Sequence, residues 1–337
     1  MDTKHLYQAS RIILCLLSGL MPFTGFAAQA PAPSEQLTTE IARLKKLQVS
    51  LEEKANENIY PFKQAETALT SGYLYLSLYR LQQLRMGLEP LAYQRSQKRA
   101  GITTRETFEK TWQTLGTQLF AKEKPLPARK TPGMVQALTE ISQSQIQPYY
   151  KSGRLYGINT TVENGLYYLG LAVAHSDFLR FCAQLNFPPA QPAVTLRALD
   201  SELQTLETEI IAGFAKAEGT NDQTRYLPVN ASLKIAQELN AAKKFQGALL
   251  QYLNTCLALN LITAAAVNDE TVARLKTQNA AVHKRLLAAK TDQSIGWFYW
   301  QLVEYALQQN DAEMLKRAAI ISDKLLPRYF KYLGEIN

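Results

Sequence analysis

Apolar residues recur along most of the chain at steps of three and four. Leu37, Ile41, Leu44, Leu47 and Leu51 form one such stripe, and that spacing returns side chains to the same face of a helix. A helix is therefore predicted from Ser34, as its cap, to about Asn56. A second is expected to start at Pro61 and to carry Tyr73, Tyr75 and Tyr79. Thr103-x-x-Glu106 and Thr160-x-x-Glu163 have the form of capping boxes that open two more. Met134 to Tyr150 reads as a helix that ends or kinks near Pro148, and Leu196, Leu199, Leu203, Leu206 and Ile210 mark another over Val194 to Ala217. Asp269 is the expected cap of a helix through Val272, Leu275, Val282 and Leu286. No run of β-branched residues alternates in the manner of a strand, so the fold class is all-α.

Within Pro228 to Leu261 the pattern is that of two helices folded back on each other. Asn230 is the expected cap, Ile235, Ala236 and Leu239 share one face, and Phe245, Ala248 and Tyr252 share the next. The arrangement returns at Leu169-Gly170 with Phe178 following, and at Leu302-Val303 with Pro327 closing the pair. Leu169, Ile235 and Leu302 are 66 and 67 residues apart. A fourth copy lies at Gly72, Tyr75, Leu76 and Ser77, with 93 residues from Leu76 to Leu169. Small residues between large ones resemble a tetratricopeptide repeat (TPR) helix pair, with Ser232 at the usual Trp place and Asn260 at the usual Pro place. The resemblance implies a TPR-like α-solenoid of helical hairpins whose concave face binds a partner polypeptide. The alternative is a single large helical bundle.

The N-terminus reads differently. Lys4 and Arg11 precede the apolar run Ile12 to Leu17, then Pro22 and the small residues around Ala27 and Ala30. That order is expected of a secretory signal peptide cut after Ala27 or Ala30. The run is too short to serve as a retained span, and Leu14 before Cys15 argues against a lipoprotein. The expected division is a signal peptide over 1–27, a tether over 28–34, a helical region over 35–120, a Pro-rich linker over 121–133 and a helical-repeat region over 134–337. The mature protein is expected to be soluble and exported, in a bacterium to the periplasm, with no integral membrane span.

Charge adds one feature. The chain has 37 basic and 29 acidic residues, and much of the surplus falls between Arg95 and Lys130. Arg95, Lys98, Arg99, Arg105, Lys110, Lys122, Lys124, Arg129 and Lys130 face only Glu106, Glu109 and Glu123 there. This is either a surface for an anionic partner or a solvated helix face and loop. Export argues against nucleic acid.

Candidate chemistry is sparse. Cys182 and Cys256 form an even pair that an oxidising compartment would bridge, although both lie on apolar helical faces. His175 and His283 lack neighbours at metal-ligand spacing, so no metal and no cofactor is expected. Tyr167 and Tyr168, with Trp297 and Trp300, suit the walls of a groove, but aromatics at helical spacing are more simply explained as packing between hairpins. The leading expectation is a non-enzymatic envelope protein that binds another protein or peptide. A helical binding protein for a lipid or glycan, including an anionic one, is the second. The third is an enzyme on envelope polysaccharide, using His175 with Tyr167 or Tyr168 and Arg180, or His283.

Overall fold

Most of the stretches with the three-and-four spacing are helical, and among the described residues of this computed structural model no strand forms. The described residues are 32–54, 56–57, 59–121, 131–187 and 191–334. The expected leader and most of its tether, and residues 122–130 of the Pro-rich linker, lie outside them.

Helix α1 (Pro33–Ser50) starts on a proline rather than on a Ser34 cap, because Pro33 presets the backbone angle of the first turn. Its stripe Leu37, Ile41 and Leu44 is buried, and it stops short of Asn56, with Glu52 in the left-handed region at φ 53. The helix expected from Pro61 is two helices, α2 (Phe62–Thr70) and α3 (Leu74–Arg99). Gly72 parts them at φ 77, where a residue without Cβ is not penalised. Thr104, one residue later than expected, caps α4 (Arg105–Leu119) and exchanges bonds with Thr107. Helix α5 (Gly133–Asn159) continues through Pro148, and Thr161 rather than Thr160 caps α6 (Val162–Gln184).

The chain from Val194 to Ala198 is irregular, so α7 (Asp200–Lys216) begins later than its apolar stripe. After the single turn α8 (Gly219–Thr224), α9 (Leu227–Ala241) begins before Asn230, which is thus interior and not a cap. Helix α10 (Phe245–Ile262) completes that hairpin. Asn268, not Asp269, caps α11 (Asp269–Ala288) through the Thr271 N–H. Helices α12 (Ser294–Gln309) and α13 (Ala312–Ile320) form the next hairpin, with Asn310 left-handed at the turn. A π-helical turn, Ile321–Leu325, leads into α14 (Leu326–Gly334).

Hairpins therefore form around Ile235 and Leu302, and α2 with α3 makes a third that includes Leu76. The Leu169 copy is different: α6 is one unbroken helix that runs through Ser176 and Asp177. Its partner is α5, and the two approach so closely that a Cβ on Gly165 would stand 2.5 Å from the Gly157 Cα. Phe108, Leu115, Tyr150, Leu166, Leu169 and Ala172 form a small core where α4 meets this pair. The larger core runs from Leu37 to Leu333.

Helix α3 is central and touches α1, α2, α6 and α12, while α10 lies on α5. A solenoid has contacts between sequential repeats only. Here α12 returns to α3, so the 66-to-67-residue recurrence does not become a linear array.

Several helix starts are completed from far away. The first N–H groups of a helix lack intrahelical partners. The Leu76 N–H of α3 donates to Gln301 Oε1 at 3.0 Å. In α5, Gly133 N–H donates to Asp292 at 2.5 Å and Met134 N–H to Ser294 Oγ at 2.7 Å. The Gly247 N–H of α10 donates to Glu140 of α5 at 2.7 Å. No helix among the described residues is long and apolar enough to cross a membrane.

Candidate binding cavity

Two arginines on α3 show what the site is built from. Arg85 has Glu89 one turn on: its Nε donates there at 3.0 Å, and its Nη1 lies 3.3 Å from Glu40 of α1. A buried guanidinium needs such partners. One turn on each side of Arg80 stand Leu76, Ser77, Gln83 and Leu84, and none is acidic. Arg80 Nη1 donates to Gln83 Oε1 at 2.7 Å, but its Nε is shut off from solvent with no hydrogen-bond partner. No ion pair involves Arg80 among the described residues. Burial draws its pKa down, and neighbouring Arg317 acts in the same direction.

Beside this guanidinium is a cavity of about 110 Å³. Tyr79, Arg80 and Gln83 of α3 line one side. Asn254 and Leu257 of α10, Phe298, Leu302, Tyr305 and Ala306 of α12, Met314, Arg317 and Ala318 of α13, and Ile321 of the π turn line the rest. The left-handed turn at Asn310 sets α13 back against α12, and π turns are frequent at functional positions. Tyr79 packs on Phe298 with ring centres 5.0 Å apart. Asn254 Oδ1 accepts from the Tyr299 hydroxyl at 3.0 Å, which leaves its amide as the donor. Arg317 is exposed. The polar side chains are thus rich in donors, no carboxylate lines the cavity, and the remaining wall is apolar.

The residues singled out by sequence lie elsewhere. Tyr167 and Tyr168 are half-buried on α6, where Tyr168 stacks on Tyr156 with centroids 4.6 Å apart. Trp297 and Trp300 are half-buried on α12; Trp300 stacks on His283 at 4.6 Å and meets Tyr73 edge-on at 5.9 Å. They belong to two separate clusters, each packed between helices, and do not share one wall. His175 is buried, stacked on Tyr149 at 5.4 Å, and burial pulls its imidazole down to about 4. Arg180 turns to Asp177 at 2.7 Å and Ser176 at 3.3 Å. The acid-base grouping of His175 with Arg180 is therefore not assembled.

Cys182 and Cys256 are free and buried, in place of the bridge that export would favour. Each has its own surroundings. Cys182 lies near Arg85, whereas Cys256 Sγ accepts from Arg328 Nη1 at 3.1 Å. Burial pushes the Cys256 thiol up to about 11.

In the basic stretch Arg95 pairs with Glu53 at 3.2 Å, Lys98 with Glu163, and Lys110 with Glu106 at 2.7 Å. Arg99 is exposed at the end of α3, while Lys122, Lys124, Arg129 and Lys130 lie outside the described residues. Pairing of this kind neutralises much of the described part of the patch. Among the described residues no group of three or more His, Cys, Asp or Glu is placed to hold a metal.

Arg80 was not visible as a site from sequence, yet a signal existed. It is an arginine inside the apolar stretch from Leu74 to Leu84 with no acid at three or four residues' distance. No protein-family model, curated protein or solved structure matches this chain.

Proposed function

We propose that this is an exported, non-enzymatic binding protein that holds a small anionic molecule in the Arg80 cavity. One observation carries the reading: a guanidinium with its Nε unpaired and shut off from water, at a cavity lined by donors and lacking any carboxylate. Leaving a buried donor unsatisfied costs about 1–3 kcal/mol, and more for a charged group. An anion that enters the cavity removes that cost. The leader-like order of Lys4, Arg11, Ile12 to Leu17 and Ala27 supports export.

The test is isothermal titration of the full chain with a panel of inorganic and organic anions, beside the Arg80→Met variant. At least one anion binds the wild type and binds the variant tenfold or more weakly. Equal binding to both proteins, or binding of none of the panel, sinks the reading.

A second reading keeps the protein-binding role suggested by the TPR-like pattern. It is supported by the hairpins α9–α10 and α12–α13, whose small residues Ala236, Ala248, Ala306 and Ala318 are buried. A partner polypeptide would then lie on those hairpins in the cell envelope.

A further inference from the structure

We infer that the anion is a short aliphatic monocarboxylate of about two to four carbons, a refinement that rests on the anion-binding reading above. The first argument is the shape of the available charge. Gln83 holds Arg80 Nη1, which leaves the Nε–Nη2 edge of the guanidinium. That edge carries two parallel N–H bonds, the fork that matches the two oxygens of a carboxylate. To meet an anion in the cavity, this edge must turn toward it about the last bonds of the side chain. Asn254 offers an amide donor beside it, and Arg317 at the exposed rim adds a second positive charge that attracts an anion without fixing its geometry.

The second argument is the opposite wall. Leu257, Phe298, Leu302, Ala306, Met314 and Ile321 present carbon. Phosphate or sulfate would satisfy two oxygens at Arg80 and turn the others toward these side chains, where an unpaired charged oxygen is costly. A sugar would bring hydroxyls to the same surface. A zwitterionic amino acid would carry an ammonium group into a cavity with no carboxylate to receive it. A carboxylate with a short hydrocarbon tail leaves nothing unpaired.

Size sets the third limit. A cavity of 150 Å³ accommodates benzene, so 110 Å³ admits roughly four to six non-hydrogen atoms. Acetate, propionate and butyrate fall in that range.

The experiment is isothermal titration of the full-length protein with acetate, propionate, butyrate, octanoate, phosphate and sulfate, at constant ionic strength. Affinity rises about fourfold for each methylene from acetate to butyrate as buried carbon is added, then falls for octanoate. Phosphate and sulfate at the same concentration do not displace butyrate. Leu302→Ala, at a half-buried position, lengthens the preferred acid, and Arg80→Lys, which keeps the charge but loses the fork, weakens butyrate at least fivefold. Circular dichroism shows that both variants are folded.

The outcomes separate the two levels. Tighter binding of phosphate or sulfate than of any carboxylate, or no dependence on chain length, overturns the monocarboxylate assignment and leaves an anion-binding protein. An unchanged chain-length profile in Leu302→Ala puts the tail elsewhere and overturns the assignment as well. Absence of binding by every anion overturns both.

Discussion

Gln301 of α12 accepts, at 3.0 Å, the hydrogen bond that Leu76 of α3 has no partner for in its own helix. Both residues are buried, and 225 positions separate them. The bond completes the start of one helix and holds the α12 wall of the cavity against the α3 wall. Replacing Gln301 by Ala strands a buried N–H, so the variant loses about 1–3 kcal/mol. Urea unfolding at neutral pH reads this as a lower midpoint. Gln308→Ala removes only exposed contacts, to the Tyr73 hydroxyl and to Glu304, and serves as the control; equal midpoints for the two variants would refute the assignment.

At Gly170 helix α6 lies close against α3. A Cβ there would stand 2.7 Å from the Pro90 Cα and 2.9 Å from its carbonyl oxygen, and backbone cannot swing aside as a side chain can. Gly170→Ala therefore costs about 1–3 kcal/mol, although alanine is the better helix former. Gly334→Ala, with nothing within 4 Å, is near neutral or stabilising. Calorimetric melting of the two variants decides it.

His175 predicts a pH dependence. Burial lowers its folded pKa to about 4, against 6.5 for a free histidine. Between those values the unfolded chain binds a proton that the folded chain does not, so stability rises with pH through this window. The contribution is fully present above 6.5 and is lost as pH falls toward 4, up to about 3 kcal/mol. His175→Phe removes it. The difference in unfolding free energy between wild type and variant should change across pH 4 to 6.5 and be flat above; a flat difference throughout contradicts the account.

Arg80 predicts a gain. A buried charge with no carboxylate partner, held only by Gln83 and the face of Tyr79, is a liability for folding, and the unbranched methionine side chain suits its surroundings. Arg80→Met melts at the same temperature as wild type, or higher, when no anion is added. A clear loss of stability would show that the arginine serves the fold instead of a ligand. Thermal melts in anion-free buffer make the comparison.

Much of the helical content was legible because burial follows the three-and-four spacing, as Leu37, Ile41 and Leu44 or Leu203, Leu206 and Ile210 show. The starts of the helices were less so. Asp292, Ser294, Glu140 and Gln301 complete α5, α10 and α3 from other elements, and local capping patterns cannot register a partner that arrives through folding. The Leu169 copy misled for a related reason: Gly165, Leu169 and Gly170 are spaced for close helix contact, and such spacing serves a long pair like α5–α6 as well as a short hairpin. The cavity was missed because its defining property is a missing carboxylate around Arg80. That absence takes in every helix packed there, of which the neighbours along α3 are only one part.

The placement of the cavity walls has a consequence for synthesis. Tyr79 and Arg80 leave the ribosome about 240 residues ahead of Ile321, on the far wall. At about 5–20 residues per second the nascent chain carries one half of the pocket for roughly 10–50 s before the other half exists. Through that interval the apolar side of α3 has no α12 to cover it, which makes this helix the natural place for a chaperone to hold the growing chain.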